Sequence, residues 1–346
     1  MPRYGIRLHS LMTPQACVEQ AVAAEKAGFD SIWFAENPYQ RGVLPAVAAC
    51  IVATRAITVG IGVFNPFNRH PTLMAMEMGA LDELAGGRTV LGIGVGVARQ
   101  LRKAGFVYDR PMAAMRDAVH IVRGLMRGDA VSHDGEVFSA RDIRLEFTPP
   151  RPDYPIYMAA MGDRALGLSG EIADGLMISN MCPPGYSLRA VGLMREGAQR
   201  AGRPQPANVV QYAPCVAGAD RGEARQIARQ RLAPMIVSMW KAGEQSPFVR
   251  RSMVAESGIA EAGFATLVGA LGAGAAPGEV VEDRFLDRYA VAGDGGDCRA
   301  AIARYVAAGV SEMVVTFVGP DPVGDMGYFA RAVLAGRPAV DGAQAG

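Results

Sequence analysis

The chain has 346 residues, of which 50% are hydrophobic, and its formal charge at pH 7 is +1. Interspersed acids and bases exclude the basic stripe of a nucleic-acid-binding protein and the polybasic patch of a membrane-surface protein. The cysteines show no C-x-x-C spacing and the four histidines no zinc pattern, so we expect free thiols in a reducing cytoplasm and no metal site. No signal peptide or membrane span is expected.

Short apolar runs alternate with helical patterns along the chain, which is typical of repeated βα units and a parallel sheet. The first helix is predicted from Pro14 to Ala27, with Thr13 as its N-cap. Another runs from Thr72 to Leu84. The predicted strands lie near residues 3–9, 31–36, 57–64, 89–95, 155–160, 174–179, 207–217 and 312–318. Eight parallel strands close a barrel, so we predict an α/β fold with a single (β/α)8 TIM barrel.

Two stretches exceed a minimal barrel and are predicted as insertions. At about 129–155, the sequence His133-Asp-Gly-Glu136 predicts a hairpin turn between short strands. At about 245–297, a Gly/Ala-rich helical segment precedes the last βα unit. Such excursions commonly form active-site lids or dimer contacts. We assign residues 1–338 to one barrel domain and 339–346 to a disordered tail.

In a βα barrel the active site lies at the carboxyl ends of the strands, and this rule selects the candidate residues. The residues at these ends are His9, Ser10, Glu36, Asn37, Tyr39, Phe64, Asn65, Arg69, His70, Gly94, Gly96, Arg99, Met161, Gly162, Asp163, Ser179, Asn180, Gln211 and Tyr212.

The segment 57–71 is the most informative of the chain. Its β-branched run predicts a buried strand, but Gly60 and Gly62 weaken a strand interior and indicate a bulge or a close approach by another group. The segment resembles the third strand of the bacterial luciferase-like superfamily, in particular the methylenetetrahydromethanopterin reductases that use coenzyme F420. The matching residues are Gly62, Val63, Asn65, Pro66, Phe67, Arg69, His70 and Pro71. The resemblance implies a cis peptide between Gly62 and Val63, behind the deazaflavin ring.

The fourth strand, Leu91-Gly-Ile-Gly-Val-Gly96, matches a dinucleotide fingerprint weakly, because the third glycine of G-x-G-x-x-G falls on Val97 or Arg99. The resemblance implies instead that Gly94 and Gly96 lie against a cofactor. The alternative is that these glycines only relieve crowding inside the barrel.

Residues 157–176 carry the second resemblance, a strand, a small-residue turn and a helix containing Gly-Glu-x-Ala-Asp-Gly. Gly162 opens this helix, whose N-terminal N–H groups and dipole suit a phosphate. The resemblance implies cofactor contacts from Met161, Gly162 and Asp163, and from Ser179 and Asn180 after the sixth strand. Glu171 and Asp174 are expected to order the helix–strand corner instead.

Two departures from the related proteins concern the acids. Where F420-dependent relatives often have Asp-His, this chain has Glu36-Asn37, and it has Val95-Gly96-Val97 where relatives with sugar substrates carry a Glu. The catalytic candidates are Glu36, His9 and His70, with Asn37 as a cofactor contact. The alternative to a catalytic role is a structural ion pair for Glu36 and helix capping for His70. His9 is a candidate proton donor.

The resemblance implies hydride transfer between coenzyme F420 and a small organic substrate, in a cytoplasmic homodimer. An FMN-dependent monooxygenase is the alternative, because the same barrel can hold reduced flavin for oxygen chemistry. A third possibility is a barrel that binds the cofactor without catalysis. The sequence does not identify the substrate.

Overall fold

The computed structural model describes residues 1–336, so the predicted tail at 339–346 lies outside the described residues. Its strands are β1 (Arg3–His9), β2 (Ser31–Ala35), β3 (Thr58–Phe64), β4 (Thr89–Ile93), β5 (Val131–Asp134), β6 (Ser139–Ile143), β7 (Ile156–Ala159), β8 (Gly175–Ile178), β9 (Asn208–Ala217), β10 (Val291–Gly293) and β11 (Glu312–Phe317).

The helices follow the strands in alternation and then cluster after β9. They are α1 (Pro14–Lys26), α2 (Leu44–Ala53), α3 (Pro71–Ala85), α4 (Ala98–Lys103), α5 (Pro111–Met126), α6 (Asp163–Ile172), α7 (Pro184–Arg200), α8 (Arg221–Gln245), α9 (Pro247–Val254), α10 (Glu261–Gly272), α11 (Pro277–Val280), α12 (Asp283–Tyr289), α13 (Gly295–Ala307) and α14 (Pro322–Phe329), followed by a π-helical turn at Ala330–Leu334.

The main sheet closes into a barrel. Its parallel strands follow the order β9-β11-β1-β2-β3-β4-β7-β8, and β8 pairs again with β9. Each predicted strand is present within a few residues of its expected bounds, so the predicted TIM barrel is confirmed. The short β10 was not predicted; it pairs with the second half of β9 at residues 215–217, beyond the part that pairs with β8.

Local sequence explains where the first helices begin and end. The Thr13 hydroxyl caps α1 by accepting from the Ala16 N–H at 3.2 Å. Helix α3 ends at Gly86, whose φ of 61° is the left-handed conformation that glycine adopts without strain. Both helices agree with the predicted bounds to within one residue.

Alternation along the strands separates two apolar layers. Outward-facing Ile6 and Leu8 of β1 pack against the surrounding helices in the largest core cluster. Inward-facing side chains form a second, smaller cluster that fills the barrel, with Trp33 stacked on Tyr157 at 5.9 Å between ring centroids. The barrel is therefore packed below its carboxyl-end mouth.

The predicted hairpin is present as the antiparallel pair β5–β6. The helical excursion begins earlier than expected, at Arg221, because α8 continues through Pro234 to Gln245. Helices α8–α12 enclose an apolar cluster of their own, centred on Trp240, Phe264 and Phe285. Within residues 1–336 the five cysteines are free and buried, and no helix is long and apolar enough to cross a membrane.

Candidate active site

One wall of the barrel mouth is built from backbone. The Gly62–Val63 peptide bond is cis, as the resemblance implied, and the β3–β4 register shifts between Gly62 and Phe64. Beyond the shift the Gly94 N–H donates to the Phe64 carbonyl at 2.9 Å, which continues the wall toward the mouth. Because Gly62, Gly92 and Gly94 have no side chains, the β3–β4 wall is a nearly flat backbone surface.

The glycines of this wall are also required by crowding. A Cβ on Gly62 would meet the Tyr212 hydroxyl and the Met177 methyl, and one on Gly92 would lie 2.6 Å from the Ile61 carbonyl oxygen. A Cβ on Gly94 would lie 2.9 Å from Val63. The crowding alternative, which concerned the glycines of the fourth strand, therefore describes Gly92 and Gly94, and the same crowding is present at Gly62. It does not say what lies against the wall on the mouth side.

Asn65 and Gly96 shape the loops that follow β3 and β4. The Asn65 side-chain oxygen accepts from the Phe67 N–H at 2.9 Å, forming a local turn. Gly96 has a φ of +70°, and a Cβ there would lie 2.7 Å from the Asn65 amide nitrogen. Both residues therefore hold backbone at the edge of the wall.

Glu36 is ion-paired. Its carboxylate lies 3.1 Å from Arg69, which also binds Glu77 and stacks on the Phe64 ring at 4.3 Å. Burial raises the pKa of Glu36, and Arg69 opposes that rise. The structure thus shows the ion pair that was the alternative to a catalytic role for Glu36.

His70 caps α3. Its Nδ1 accepts from the Thr72 N–H at 3.3 Å, and its ring meets the edge of Phe138 from the hairpin. Burial lowers its pKa. The contacts are those of the capping alternative, and they direct the ring toward the hairpin.

The β7–α6 turn offers an open helix N-terminus. Gly162 is the N-cap of α6 without a side-chain cap, and the nearest group to a Cβ placed on it is Phe248 of α9, 3.9 Å away. Asp163, in the first turn, is ion-paired to Arg189 at 2.5 Å. The Tyr186 hydroxyl donates to the Met161 carbonyl, which fixes the turn. The free N–H groups of this turn suit an anionic arm.

A hydrogen bond from β9 holds the turn after β8 in place. Buried Gln211 donates to the Ser179 carbonyl at 3.0 Å. The neighbouring Asn180 has a buried side-chain oxygen without a hydrogen-bond partner. Asn37, on the opposite side of the mouth, donates to the Ser10 hydroxyl at 3.4 Å.

A polar cluster lies inside the mouth on β1, β9 and β11; sequence analysis named two of its members, His9 and Tyr212, and missed Arg7 and Thr316. The cluster consists of Arg7, His9, Tyr212 and Thr316, each with a buried side-chain atom that lacks a hydrogen-bond partner. Burial, followed by the charge of Arg7, lowers the pKa of His9. The signal was available, because alternation along β1 places Arg7 and His9 on one face, but only strand ends had been searched.

Comparisons with known proteins identify the family of the chain. The model of the luciferase-like monooxygenase family matches residues 2–312, and the chain belongs to this family. The chain is 30% identical to a 5,10-methylenetetrahydromethanopterin reductase of Methanolobus tindarius, over 87% of this chain and 90% of the relative. It is 32% identical to the enzyme of that name from Archaeoglobus fulgidus, over 86% and 88%.

Solved structures show the same fold. The coenzyme F420-dependent tetrahydromethanopterin reductase of Methanopyrus kandleri superposes with a TM-score of 0.83 at 24% identity, covering 96% of this chain and 98% of that one. An F420-dependent secondary alcohol dehydrogenase superposes with a TM-score of 0.76 at 21% identity, covering 97% and 99%.

Proposed function

We propose that this chain is a coenzyme F420-dependent oxidoreductase that transfers a hydride between the deazaflavin and a small organic substrate. The observation that carries the proposal is the backbone wall of β3 and β4, which reaches the mouth at Gly94, with the open N-terminus of α6 at Gly162 following the neighbouring strand β7. A flat ring fits against such a wall, and an anionic arm suits the helix N-terminus. The identity to 5,10-methylenetetrahydromethanopterin reductases over most of both chains supports the same cofactor.

Two groups of residues would hold the cofactor. The ring would lie against the β3–β4 wall and its flanking loops, formed by Gly62, Val63, Asn65, Gly94 and Gly96. The phosphate-bearing arm would lie along the turns after β7 and β8, with Asn37 at the opposite rim; these turns are formed by Met161, Gly162, Asp163, Ser179 and Asn180. When bound, coenzyme F420 supplies a ring carbon that donates or accepts a hydride.

The remaining tasks fall to the protein. Trp33, Tyr157 and Met177 fill the barrel below the mouth and exclude water from that side. A substrate that accepts a hydride also takes up one proton, and His9 is the titratable group at the mouth without a partner for its Nδ1. Glu36 would order the site through Arg69. We expect a cytoplasmic homodimer.

The test is a fluorescence titration of the purified protein with coenzyme F420 and, separately, with FMN. We expect micromolar F420 binding and feeble FMN binding. Gly94→Ala places a methyl group against Val63 in the wall. Relieving this contact, which would otherwise cost roughly 1–3 kcal/mol in overpacking, shifts the surface on which the ring would rest, so F420 binding should weaken about tenfold. Gly192→Ala, where a Cβ has open space, is the matched control. Tight FMN binding would instead support a flavin monooxygenase.

A further inference from the structure

This inference rests on the proposed function and concerns the substrate. It begins with Arg7, on the inner face of β1. Among residues 1–336 its guanidinium makes no hydrogen bond or ion pair; it lies over the Tyr212 ring, 5.1 Å from the centroid, and its charge lowers the pKa of His9. A cation held in a barrel interior without an anion is costly unless a ligand supplies one.

The acid on the neighbouring strand β11 does not form an ion pair with Arg7. Glu312 is buried at the other end of the barrel, where it accepts from Trp33 Nε1 at 2.9 Å and from Ser31. It is in register with Arg3. Arg7 lies four residues further along β1, which corresponds to about 13 Å of strand. Glu36, at the mouth, is paired with Arg69.

Two hydroxyl groups accompany Arg7 on the adjoining strands. Tyr212 of β9 and Thr316 of β11 each have a buried hydroxyl oxygen without a partner. Burial raises the pKa of Tyr212, so its hydroxyl is a neutral donor. Ile6 pairs with Val315, so Arg7 and Thr316, each one residue further along its strand, are neighbours. Hydrogen-bond donors thus accumulate here without an acceptor.

The strand order places this cluster on the substrate side. The proposed cofactor residues lie mainly on β3, β4, β7 and β8, whereas Arg7, Tyr212 and Thr316 lie on β1, β9 and β11, in the other half of the closed barrel. Since the Tyr212 hydroxyl reaches Gly62, the cluster forms the floor of the mouth, and a ring resting on the outer part of the wall, at Val63 and Gly94, would leave the β1 side of this floor open to the substrate.

We propose that Arg7, Tyr212 and Thr316 bind a carboxylate group of the substrate. The planar guanidinium fork matches a carboxylate in two parallel hydrogen bonds, and the two hydroxyls can donate to its remaining lone pairs. The substrate class is thus a small organic acid whose carboxylate enters the barrel mouth. The other source of anionic oxygen at this position is the cofactor ring, and the experiment separates the two.

The experiment measures binding of matched acids and amides by calorimetry, with and without saturating F420. The probes are benzoate against benzamide and cinnamate against cinnamamide. The wild-type protein should prefer the acids by about tenfold or more, because the amides lack the charge that Arg7 requires. Arg7→Met and Thr316→Val should remove or reduce the preference. Arg3→Met, at the far end of β1, should retain it.

The outcomes distinguish the two proposals. F420 affinity should be unchanged in Arg7→Met; a large loss of F420 affinity together with equal binding of acids and amides would assign the anion to the cofactor and overturn the inference. Equal binding by the wild-type protein would also overturn it. Acid preference without any F420 binding would instead contradict the proposed cofactor. Arg7→Lys, which keeps the charge and loses the fork, should show an intermediate preference and guards against misfolding of the methionine variant.

Discussion

At the scale of single residues, the titratable side chains of the mouth differ in whether they already have hydrogen-bond or ion-pair partners. Glu36 is bound by Arg69 and His70 by the first turn of α3, whereas the Nδ1 of His9 is buried and free of partners. A group that moves a proton must reach the substrate and change its protonation state without breaking a structural contact. Of the three catalytic candidates, His9 meets this condition best.

We therefore expect His9→Ala to lower kcat by about 10²–10⁴-fold, the usual contribution of a positioned acid or base, while F420 affinity is unchanged. The measurement is steady-state kinetics beside a cofactor titration. Glu36→Gln is the comparison, since it should lower the melting temperature through Arg69 more than it lowers kcat. Unchanged turnover in His9→Ala would reduce His9 to a packing role.

Asp325, at the start of α14, predicts a pH-dependent stability. Burial, with repulsion from Asp321, raises its pKa from 3.8 to about 6. Between these values the folded state holds a proton that the unfolded state has released, so stability falls as the pH rises through this window. Asp325→Asn should raise the melting temperature at pH 8 and leave it nearly unchanged at pH 4. An equal change at both values would contradict this origin.

At the scale of elements, α6, which follows the turn proposed to hold the cofactor arm, is positioned by unusually close packing on α7. A Cβ on Gly170 of α6 would overlap the Met194 carbonyl, and one on Gly197 of α7 would overlap the Gly167 carbonyl. Backbone atoms cannot give way as a side chain can. Glycine at these positions therefore sets the distance between the helices.

Gly170→Ala should accordingly lower the free energy of unfolding by about 3 kcal/mol, at the upper end of overpacking costs, and weaken F420 binding by displacing the Gly162 turn. Gly192→Ala, on α7 with open space around its Cβ, should be neutral or slightly stabilising because alanine favours the helix. Denaturant unfolding of both variants checks the pair. Equal stability losses would show that crowding between α6 and α7 is not the cause.

The sequence predicted elements better than contacts. Eight strands were identifiable because each is a short apolar run between turn signals, whereas the three residues of β10 are too few to form a pattern. The ion pair between Glu36 and Arg69 joins residues 33 positions apart, and no local pattern encodes such a pairing. Alternation along β1 made Arg7 identifiable as an inward-facing residue. Its neighbours across the barrel, Tyr212 and Thr316, are more than 200 residues away in the chain, so the sequence could not show that it lies beside hydroxyl groups and not beside an acid.

At the scale of the whole molecule, two of the three apolar clusters in residues 1–336 lie outside the barrel interior. The larger lies between the barrel and its helices and includes Phe329, fully buried on Phe29 and Phe317. The other lies within α8–α12, where Phe264 stacks on Trp240 and meets Phe285 edge-on. Helix α9 joins this cluster through Met253, and Phe248 in the first turn of α9 stands beside Gly162. Loss of either cluster should therefore have different consequences for the barrel.

Phe264→Ala removes the centre of the α8–α12 cluster, and such truncations cost about 3–5 kcal/mol. We expect hydrogen exchange to increase mainly in residues 221–289, with the barrel strands still protected, and F420 binding to weaken as Phe248 loses its position. Phe329→Ala, a truncation of equal size in the larger cluster, should instead reduce protection of the β1, β2 and β11 strands. If Phe264→Ala exposes the barrel strands to the same degree, the two clusters unfold as one unit and α8–α12 cannot open independently over the site.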